Sequence, residues 1–467
     1  MSTKHAIAAD KFLQNSEKVT RHDQTFWSVR VKRDAQSQEL PEWEDLREAA
    51  SQIKKHTITH LADYLEMFEK NATKNGAIVH WAKDADEYNE IVMDIMHKHN
   101  VKKVVKSKSM LTEECHLNDN LIKNGIDVVE TDLGERILQM MHLAPSHIVM
   151  PAIHITREQV GLCFEDYKIS PEIGNYDPTY LTRCARYHLR DNFMTADCGM
   201  TGGNFGIAET GDIVVCTNEG NADMSTSVPK LHIVSIGLEK LIPNYKAMGV
   251  FHRLLARCGT GQSTTVYTSH FRGPRPGGEM HIILVDNGRS KILGNEEHWQ
   301  TLKCMRCGAC MNTCPVYRRT GGYSYTYFIP GPIGINLGML KDSDENYHNL
   351  SACSLCCSCD NACPAKVDLS SQIYRWRQGL DGMGHADPIK KAMSKGMQVM
   401  FESPGLYTTA LKFAPIANHL PRFITGIKLN GWAQGREMPV FAKQSFHELW
   451  KKGKVKAWGY EYKRRNT

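Results

Sequence analysis

Two short stretches of the chain share one cysteine spacing: residues 304–315, CMRCGACMNTCP, and residues 353–364, CSLCCSCDNACP. Each has the form C-x₂-C-x₂-C-x₃-C-P. Three cysteines at this spacing fold round one iron–sulfur cubane, and the fourth, before proline, reaches the neighbouring cluster. The repeat therefore predicts two [4Fe–4S] clusters with crossed ligands. The predicted ligands are Cys304, Cys307, Cys310 and Cys363 for the first cluster, and Cys353, Cys356, Cys359 and Cys314 for the second.

Other uses of these cysteines fit less well. Zinc sites also use C-x₂-C, but usually as two pairs well separated in sequence. The chain begins without the apolar core of a secretory signal, which predicts a cytoplasmic protein with reduced thiols rather than disulfides. Cys357 lies outside the repeated spacing, and we expect it to be a buried small residue rather than a ligand. The other six cysteines are expected in ordinary cores.

The pattern along the 467 residues predicts several domains. Short apolar runs alternate with amphipathic stretches of helical length, which is typical of a parallel sheet covered by helices. The predicted divisions are an N-terminal helical segment over 1–75, an α/β domain over 76–293, a helical ferredoxin domain over 294–380 and a basic tail over 381–467. The predicted strands are Ala77–Trp81, Val101–Val105, Ile126–Val129, Ile148–Ile153, Ile213–Cys216, Leu231–Ile236 and Ile282–Val285. The predicted helices include Asp86–His99, Thr112–Asn124 and Ser370–Gln378.

The tail from Asp381 onwards carries 15 Lys and Arg against 6 Asp and Glu, a net charge of +9. Prolines interrupt it, so a sustained amphipathic membrane helix is not expected. No nucleic-acid motif accompanies the charge. We predict that the tail, with Trp432, Trp450 and Trp458, wraps the ferredoxin module and helps to dock a partner, with at most peripheral membrane contact.

The α/β half resembles a known family. The resemblance rests on seven segments: VKSKSMLTEE at 105–114, VETDLGE at 129–135, PSHI at 145–148, PAIH at 151–154, TGGNFGIAETG at 201–211, NEGN at 218–221 and DNGR at 286–289. These are similar to the lactate-utilization (LUD) domain. A LUD domain followed by a two-cluster ferredoxin module and a short tail resembles the lactate-utilization protein B family.

The resemblance implies a fold like that of ribose-5-phosphate isomerase and CoA-transferases. It also implies an iron–sulfur subunit of a bacterial complex that oxidises L-lactate to pyruvate. The implied partners are a cysteine-rich iron–sulfur protein and a smaller LUD protein. An alternative makes the LUD domain itself the substrate-oxidising site, with the clusters as its electron outlet. A transferase with purely structural clusters is disfavoured, because crossed ligands enforce a close pair of clusters.

Candidate ligand-binding residues lie in the TGGNFGIAETG segment. Gly202, Gly203 and Asn204, with Glu209, Thr210 and Gly211, either form an anion nest or a pair of tight turns. Arg272 and Arg289 are candidates to hold a carboxylate. No G-x-G-x-x-G follows a strand, so NAD is not expected. A flavin route stays open, although no motif indicates one. His147 and His154, seven residues apart, are not expected to share a metal.

Overall fold

A six-stranded parallel sheet forms the centre of the α/β part. In the computed structural model, which describes residues 3–421 and 439–454, ten strands are assigned. The strands are β1 Ile78–Ala82, β2 Lys103–Lys106, β3 Asp127–Glu130, β4 Cys198–Gly202, β5 Phe205–Ile207, β6 Asp212–Thr217, β7 Leu231–Gly237, β8 Leu241–Ile242, β9 Tyr267–Phe271 and β10 Glu279–Val285.

The order of the main sheet is β1-β10-β7-β4-β2-β3, with every neighbouring pair parallel. From β2 the chain continues to β3 on one side, and the next strand of this sheet, β4, lies on the other side of β2. The strand order therefore reverses between β2 and β4. A smaller sheet, β8-β5-β6-β9, is largely antiparallel. The central strands β7 and β10 are buried almost throughout because helices cover both faces.

The described chain also contains 22 α-helices. Before and within the α/β part they are α1 Lys4–Leu13, α2 Ser16–Gln38, α3 Trp43–Thr59, α4 Leu61–Lys74, α5 Ala85–Lys98, α6 Met110–Glu114, α7 Leu117–Lys123, α8 Leu133–Met140, α9 Arg157–Asp166, α10 Pro178–Thr195, α11 Asn221–Ser227, α12 Tyr245–Gly259 and α13 Arg289–Leu293. After it they are α14 Ala309–Thr313, α15 Pro315–Thr320, α16 Gly331–Lys341, α17 Ser343–Asn346, α18 Ser358–Ala362, α19 Leu369–Gly379, α20 Pro388–Glu402, α21 Pro404–Phe413 and α22 Phe446–Lys451.

Side-chain caps mark several of these helix starts. Asp84 accepts from the Glu87 amide at the start of α5, and Asp177, which is followed by proline, caps α10 in the same way. Thr156 and Gln159 form a reciprocal capping box at α9. These local signals explain why the long polar helices begin where they do.

The predicted architecture, an α/β domain with a parallel sheet followed by a helical cysteine-bearing segment, is confirmed. One predicted strand, Ile148–Ile153, is wrong, since the segment forms turns. Pro151 has no amide hydrogen to give to a sheet, and the amides of Val149 and Met150 donate to Nδ1 of His147 instead. The predicted helix 112–124 is divided at His116, whose φ of 52° ends one helix and begins the next.

The N-terminal helices hold the cysteine segment rather than merely preceding the sheet. Arg47 of α3 donates to the carbonyl oxygen of Cys363 from Nη2 over 2.9 Å and from Nε over 3.1 Å. Arg33 of α2 donates to the carbonyl of Ala362 over 3.4 Å. His5 of α1 lies 2.9 Å from the carbonyl of Ser324. Residues separated by some 300 positions in sequence therefore share one folded unit, which ends at Gly382.

A second compact unit begins at Met383. Its helices α21 and α22 contain no buried residue, and Trp450 is exposed. Trp432 and Trp458 lie outside the described residues. Packing of the tail on the ferredoxin module therefore stays a prediction. Within residues 3–421 and 439–454, no helix is long and apolar enough to cross a bilayer.

Candidate iron–sulfur centre and adjoining cavity

The structure brings the eight predicted cysteines together as two sets of four. The first set, which lines a single cavity, consists of Cys304, Cys307, Cys310 and Cys363. Burial raises the pKa of Cys307, and the neighbouring charges of Cys258, Cys363 and Cys304 raise it further. Burial, followed by the charges of Cys304 and Cys363, also raises the pKa of Cys310.

The second set takes its fourth member from the first cysteine run. Burial and the charges of Cys353 and Cys356 raise the pKa of Cys314 to about 11. Burial raises the pKa of Cys359, and the neighbouring charges of Asp360, Cys310, Cys314 and Cys353 raise it further. The two sets therefore adjoin. Cys356 is exposed, so the second set reaches the surface.

Both cysteine loops have the same backbone. Two residues after the first cysteine, Arg306 and Leu355 have φ of 60° and 55°, and each amide donates to the sulfur of that first cysteine, over 3.4 and 3.3 Å. Two residues further on, Gly308 and Cys357 have φ of 77° and 57°. These turns aim amide hydrogens at sulfur, which favours thiolates and tunes bound clusters.

Cys357 is not the buried residue that the sequence suggested. Its side chain is exposed, and its left-handed backbone matches that of Gly308 in the other loop. The position demands a particular backbone rather than a buried side chain, which is why glycine fills it in the first run. Its sulfur lies 3.5 Å from Oγ of Ser370.

The donor set fits iron. Four crowded sulfurs that raise one another's pKa need compensating positive charge, and a bound metal removes the thiol proton outright. Each set offers four sulfurs, together with amide hydrogens directed at sulfur from the loops, including those of Tyr317 to Cys314 and Val367 to Cys363. Of the other six cysteines, five are buried and Cys216 is partly buried.

A larger cavity of about 330 Å³ opens beside the first set. It lies where the parallel strands β2, β4 and β7 end, next to the reversal of strand order. Residues 107–109 follow β2, residues 202–204 begin at the last residue of β4, and Gly237, the last residue of β7, is followed by Glu239 and Lys240. Cys307 and Arg306, from the first cysteine run, complete its wall. Ligands of open parallel sheets bind at this kind of crevice.

Four of the eight predicted ligand-binding residues line this cavity: Gly202, Gly203, Asn204 and Arg289. Neither glycine has a positive φ, so the turn is not an anion nest and not a left-handed turn. The glycines allow close packing there: a Cβ atom on Gly203 would lie 2.7 Å from Cδ1 of Ile236, and one on Gly202 would lie 2.9 Å from Oγ of Ser109. The turn therefore shapes the cavity wall through close packing.

The other four predicted residues lie elsewhere, which corrects the sequence interpretation. Glu209, Thr210 and Gly211 form a turn against α4, where Asn71 and Asn75 donate to its carbonyl groups over 2.7–3.0 Å. Gly211 has a φ of 74°. Arg272 pairs instead with the carboxylate of Asp212, over 2.7 and 3.1 Å. None of these four lines the cavity.

Charge inside the cavity is partly compensated. Arg289 donates to both oxygens of Glu114 over 3.0 Å and also pairs with Glu239. Burial alone would raise the pKa of Glu239, but Arg289, Lys240 and Arg306 hold it down to about 2. Burial lowers the pKa of Lys240 to about 8. No residue in the described part of the chain accepts a hydrogen bond from the Lys240 ammonium.

Comparisons with known protein families match three consecutive regions of the chain. Residues 65–292 match the LUD domain, residues 300–367 the 4Fe-4S dicluster domain, and residues 377–455 the C-terminal region of lactate utilisation protein B. Lactate utilization protein B of Oceanobacillus iheyensis is 41% identical over 429 residues, which cover 89% of each chain. This chain belongs to the lactate utilization protein B family.

Other relatives extend the family. Lactate utilization protein B of Geobacillus kaustophilus is 42% identical, covering 88% of this chain and 89% of its own. An uncharacterized electron transport protein of Escherichia coli, YkgF, is 38% identical over 89% of each chain. A solved DUF162 family protein from Deinococcus radiodurans covers 48% of this chain and 98% of its own, at 13% identity and a TM-score of 0.28, which is too low to add to the fold argument.

Membership confirms the resemblance and the presence of an iron–sulfur domain. Within the family's architecture, sequence reasoning missed Ser107, Asn221, Lys240 and Arg306 as cavity residues. Ser107 and Asn221 lie in segments that carried the resemblance, yet nothing in their spacing indicated that both face one cavity. Lys240 has no motif around it, and Arg306 lies between Cys304 and Cys307, where the pattern indicates only metal ligands.

Proposed function

We propose that this chain is the iron–sulfur electron-transfer subunit of a bacterial complex that oxidises L-lactate to pyruvate. The supporting observation is the pair of adjoining cysteine sets, one in the wall of the LUD cavity at Cys307 and the other at the surface at Cys356. Relatives named for lactate utilization and for electron transport support the same role.

Each cysteine set would hold one [4Fe–4S] cluster, and such a cluster accepts and releases one electron. The protein supplies the thiolates, the amide hydrogens that point at sulfur, and a short separation between the two sets. The exposed second set is where a partner would dock. The proposed partners are a cysteine-rich iron–sulfur protein and a smaller LUD protein, in the cytoplasm, with the basic tail contributing to docking.

Metal content tests the cluster assignment. Anaerobically purified protein should contain about eight irons and eight acid-labile sulfides, because each of two complete cysteine runs supplies four thiolates. A Cys356→Ser variant should lose iron. Four irons in the wild-type protein, or stoichiometric zinc, would contradict the proposal.

Electron paramagnetic resonance (EPR) tests the role. With both partner proteins present, L-lactate should reduce the clusters, and with either partner omitted it should not. A competing assignment makes the LUD domain the substrate-oxidising site, and it is favoured by the presence of Cys307 in the cavity wall. That assignment requires L-lactate to reduce the clusters of the isolated chain. The same experiment therefore separates the two.

A further inference from the structure

We infer that the LUD cavity binds one small 2-hydroxy carboxylate beside the first cysteine set, with Lys240 and Arg306 on the carboxylate and Asn221 on the hydroxyl group. The choice of a 2-hydroxy acid rests on the proposed function, whereas the site itself follows from the side chains that line the cavity. Neither the LUD domain match nor the dicluster match assigns a ligand to this cavity.

The cavity carries polar groups that the described part of the protein leaves unsatisfied. Ser107 is 2% exposed and Asn221 is 7% exposed, and both line the cavity. The Ser107 hydroxyl, the Asn221 amide oxygen and Nη1 of Arg306 have no hydrogen-bond partner. Leaving a buried polar group unpaired costs about 1–3 kcal/mol, so three in one cavity indicate a place built for a ligand.

The charges favour a single negative charge. Arg289 is already matched by Glu114 and Glu239, so it adds little for a ligand. Lys240 has no acceptor in the described chain, and Arg306 approaches Glu239 only at 4.0 Å. These two cations face the same cavity, which Lys108 also lines, although its ammonium already donates to the carbonyl oxygen of Val149 over 3.0 Å.

Carboxylates in the cavity wall set an upper limit on ligand charge. Glu219 and Asp132 also line the cavity. Burial, followed by the charge of Asp132, raises the pKa of Glu219 to about 7, so a further negative charge next to these two carboxylates is unfavourable. A phosphate dianion would meet this repulsion more strongly than a monocarboxylate would. The volume of about 330 Å³ also lies at the small end of organic ligand sites.

The hydroxyl group is selected by Asn221. Its unpaired amide oxygen accepts a hydrogen bond and therefore requires a donor on the ligand. A 2-hydroxy acid offers that donor next to its carboxylate, while the corresponding acid without the hydroxyl does not. An analogue that leaves a buried acceptor unpaired binds at least about tenfold more weakly, since tenfold corresponds to about 1.4 kcal/mol.

The cavity also adjoins the first cysteine set directly, through Arg306 and Cys307. A negative ligand charge there opposes the addition of an electron to a cluster held by that set. Binding should therefore move that cluster's potential to a more negative value. By linkage, the ligand must bind the oxidised protein more tightly than the reduced protein.

Isothermal titration of the anaerobic, cluster-loaded chain tests this site. L-Lactate should bind, propionate should bind about tenfold more weakly or not at all, and inorganic phosphate should not compete. Lys240→Met should weaken L-lactate binding at least about tenfold. Lys246→Met is the matched control, because this exposed lysine does not line the cavity and its loss should change nothing. Asn221→Ala should abolish the difference between lactate and propionate.

Several results would overturn the inference: no binding of L-lactate to either oxidation state, equal binding by wild type and Lys240→Met, or phosphate binding in place of lactate. Iron content and circular dichroism of each variant show that it is folded and loaded. If the isolated chain fails to bind lactate while the complex still reduces the clusters, the cavity assignment is wrong and the proposed function stands. If lactate binds but never reduces the clusters in the complex, the cavity assignment stands and the proposed function is wrong.

Discussion

His147 and Asn312 form a buried side-chain pair, with 3.0 Å between Nε2 and Oδ1. Nδ1 of His147 accepts from the amides of Val149 and Met150, so the proton of the neutral ring is on Nε2. Asn312 in turn donates to the carbonyl of Gly259 over 2.9 Å. One pair therefore ties the loop after α8, the first cysteine run and α12 together.

Replacing His147 should weaken this junction. In His147→Phe, the acceptor on Asn312 and two amide donors lose their partner, so we expect the free energy of unfolding to fall by about 1–3 kcal/mol or more. Iron retention on dilution should fall as well, because Asn312 lies between two cluster cysteines. Urea denaturation and iron analysis measure both effects. His97→Gln, at an exposed position, is the control, and equal losses in both variants would contradict the role of the pair.

Buried neutral histidines predict a loss of stability in mild acid. Burial lowers the pKa of both His147 and His232 to about 3. Between the unfolded pKa of about 6.5 and that value, the unfolded chain binds more protons, so stability falls as pH decreases below 6.5. Each histidine should contribute about 1.4 kcal/mol of loss between pH 7.5 and 5.5. Denaturation at both pH values should show a smaller loss for His232→Gln, and an unchanged loss would refute the assignment.

Two glycines allow the cost of backbone strain to be measured separately from the cost of steric overlap. Gly125 and Gly211 have φ of 77° and 74°, but a Cβ atom would meet nothing within 4 Å at Gly125. At Gly211 it would lie 2.3 Å from the amide nitrogen of Ala72. Gly125→Ala should therefore cost about 1–2 kcal/mol, and Gly211→Ala about 2–5 kcal/mol. Parallel thermal and urea unfolding should rank them in this order, and equal costs would mean that the turn can move away from α4.

The crossed cysteine sets predict which EPR signal each substitution removes. Cys314→Ser should damage the cluster held with Cys353 and Cys359, although Cys314 is closer in sequence to the first set. Loss of the other cluster's signal would show that the sets are not crossed. Cys357→Gly is the control: it suits a left-handed backbone and should leave the iron content at its wild-type value.

Replacing a buried lysine should lower the free energy of unfolding more than replacing a charged residue at the surface. Lys106 is fully buried and pairs with Glu130 over 2.8 Å and with Glu113 over 3.5 Å. Lys106→Met would leave these carboxylates without their cation and should cost about 3–5 kcal/mol in the free energy of unfolding. The double variant Lys106→Met/Glu130→Gln should recover part of that loss. No recovery would mean that Glu130 is not the main partner.

Cluster ligands could be predicted because their chemistry is encoded in spacing. Each cysteine run spans a dozen residues, so the spacing that identifies its ligands can be read directly from the sequence. Side-chain pairing is different. Arg289 looked free to hold a carboxylate, but Glu114 and Glu239, both distant in sequence, already occupy it. The ammonium of Lys240 has no hydrogen-bond acceptor in the described chain, and only the fold reveals this.

The strands show the same limit. β4 contains no apolar run, yet it lies at the centre of the sheet, where a Cβ atom on Gly199 would overlap the carbonyl oxygen of Ser225. Glycine there permits close packing of α11 on the strand, a requirement that alternation of apolar residues does not report. The apolar segment 148–153 is the opposite case: its apolar residues predict a strand, but it forms none. Two of its amides donate to Nδ1 of His147 instead of to a neighbouring strand.

The exchange of one cysteine between the two runs has a consequence for biosynthesis. The ribosome makes Cys304, Cys307 and Cys310 early, but their fourth partner, Cys363, is the last of the eight in chain order. A nascent chain that ends before Cys359 can complete neither site. Neither site can therefore be completed before most of the second cysteine run has been made, although the first run supplies three of the four ligands of the first set.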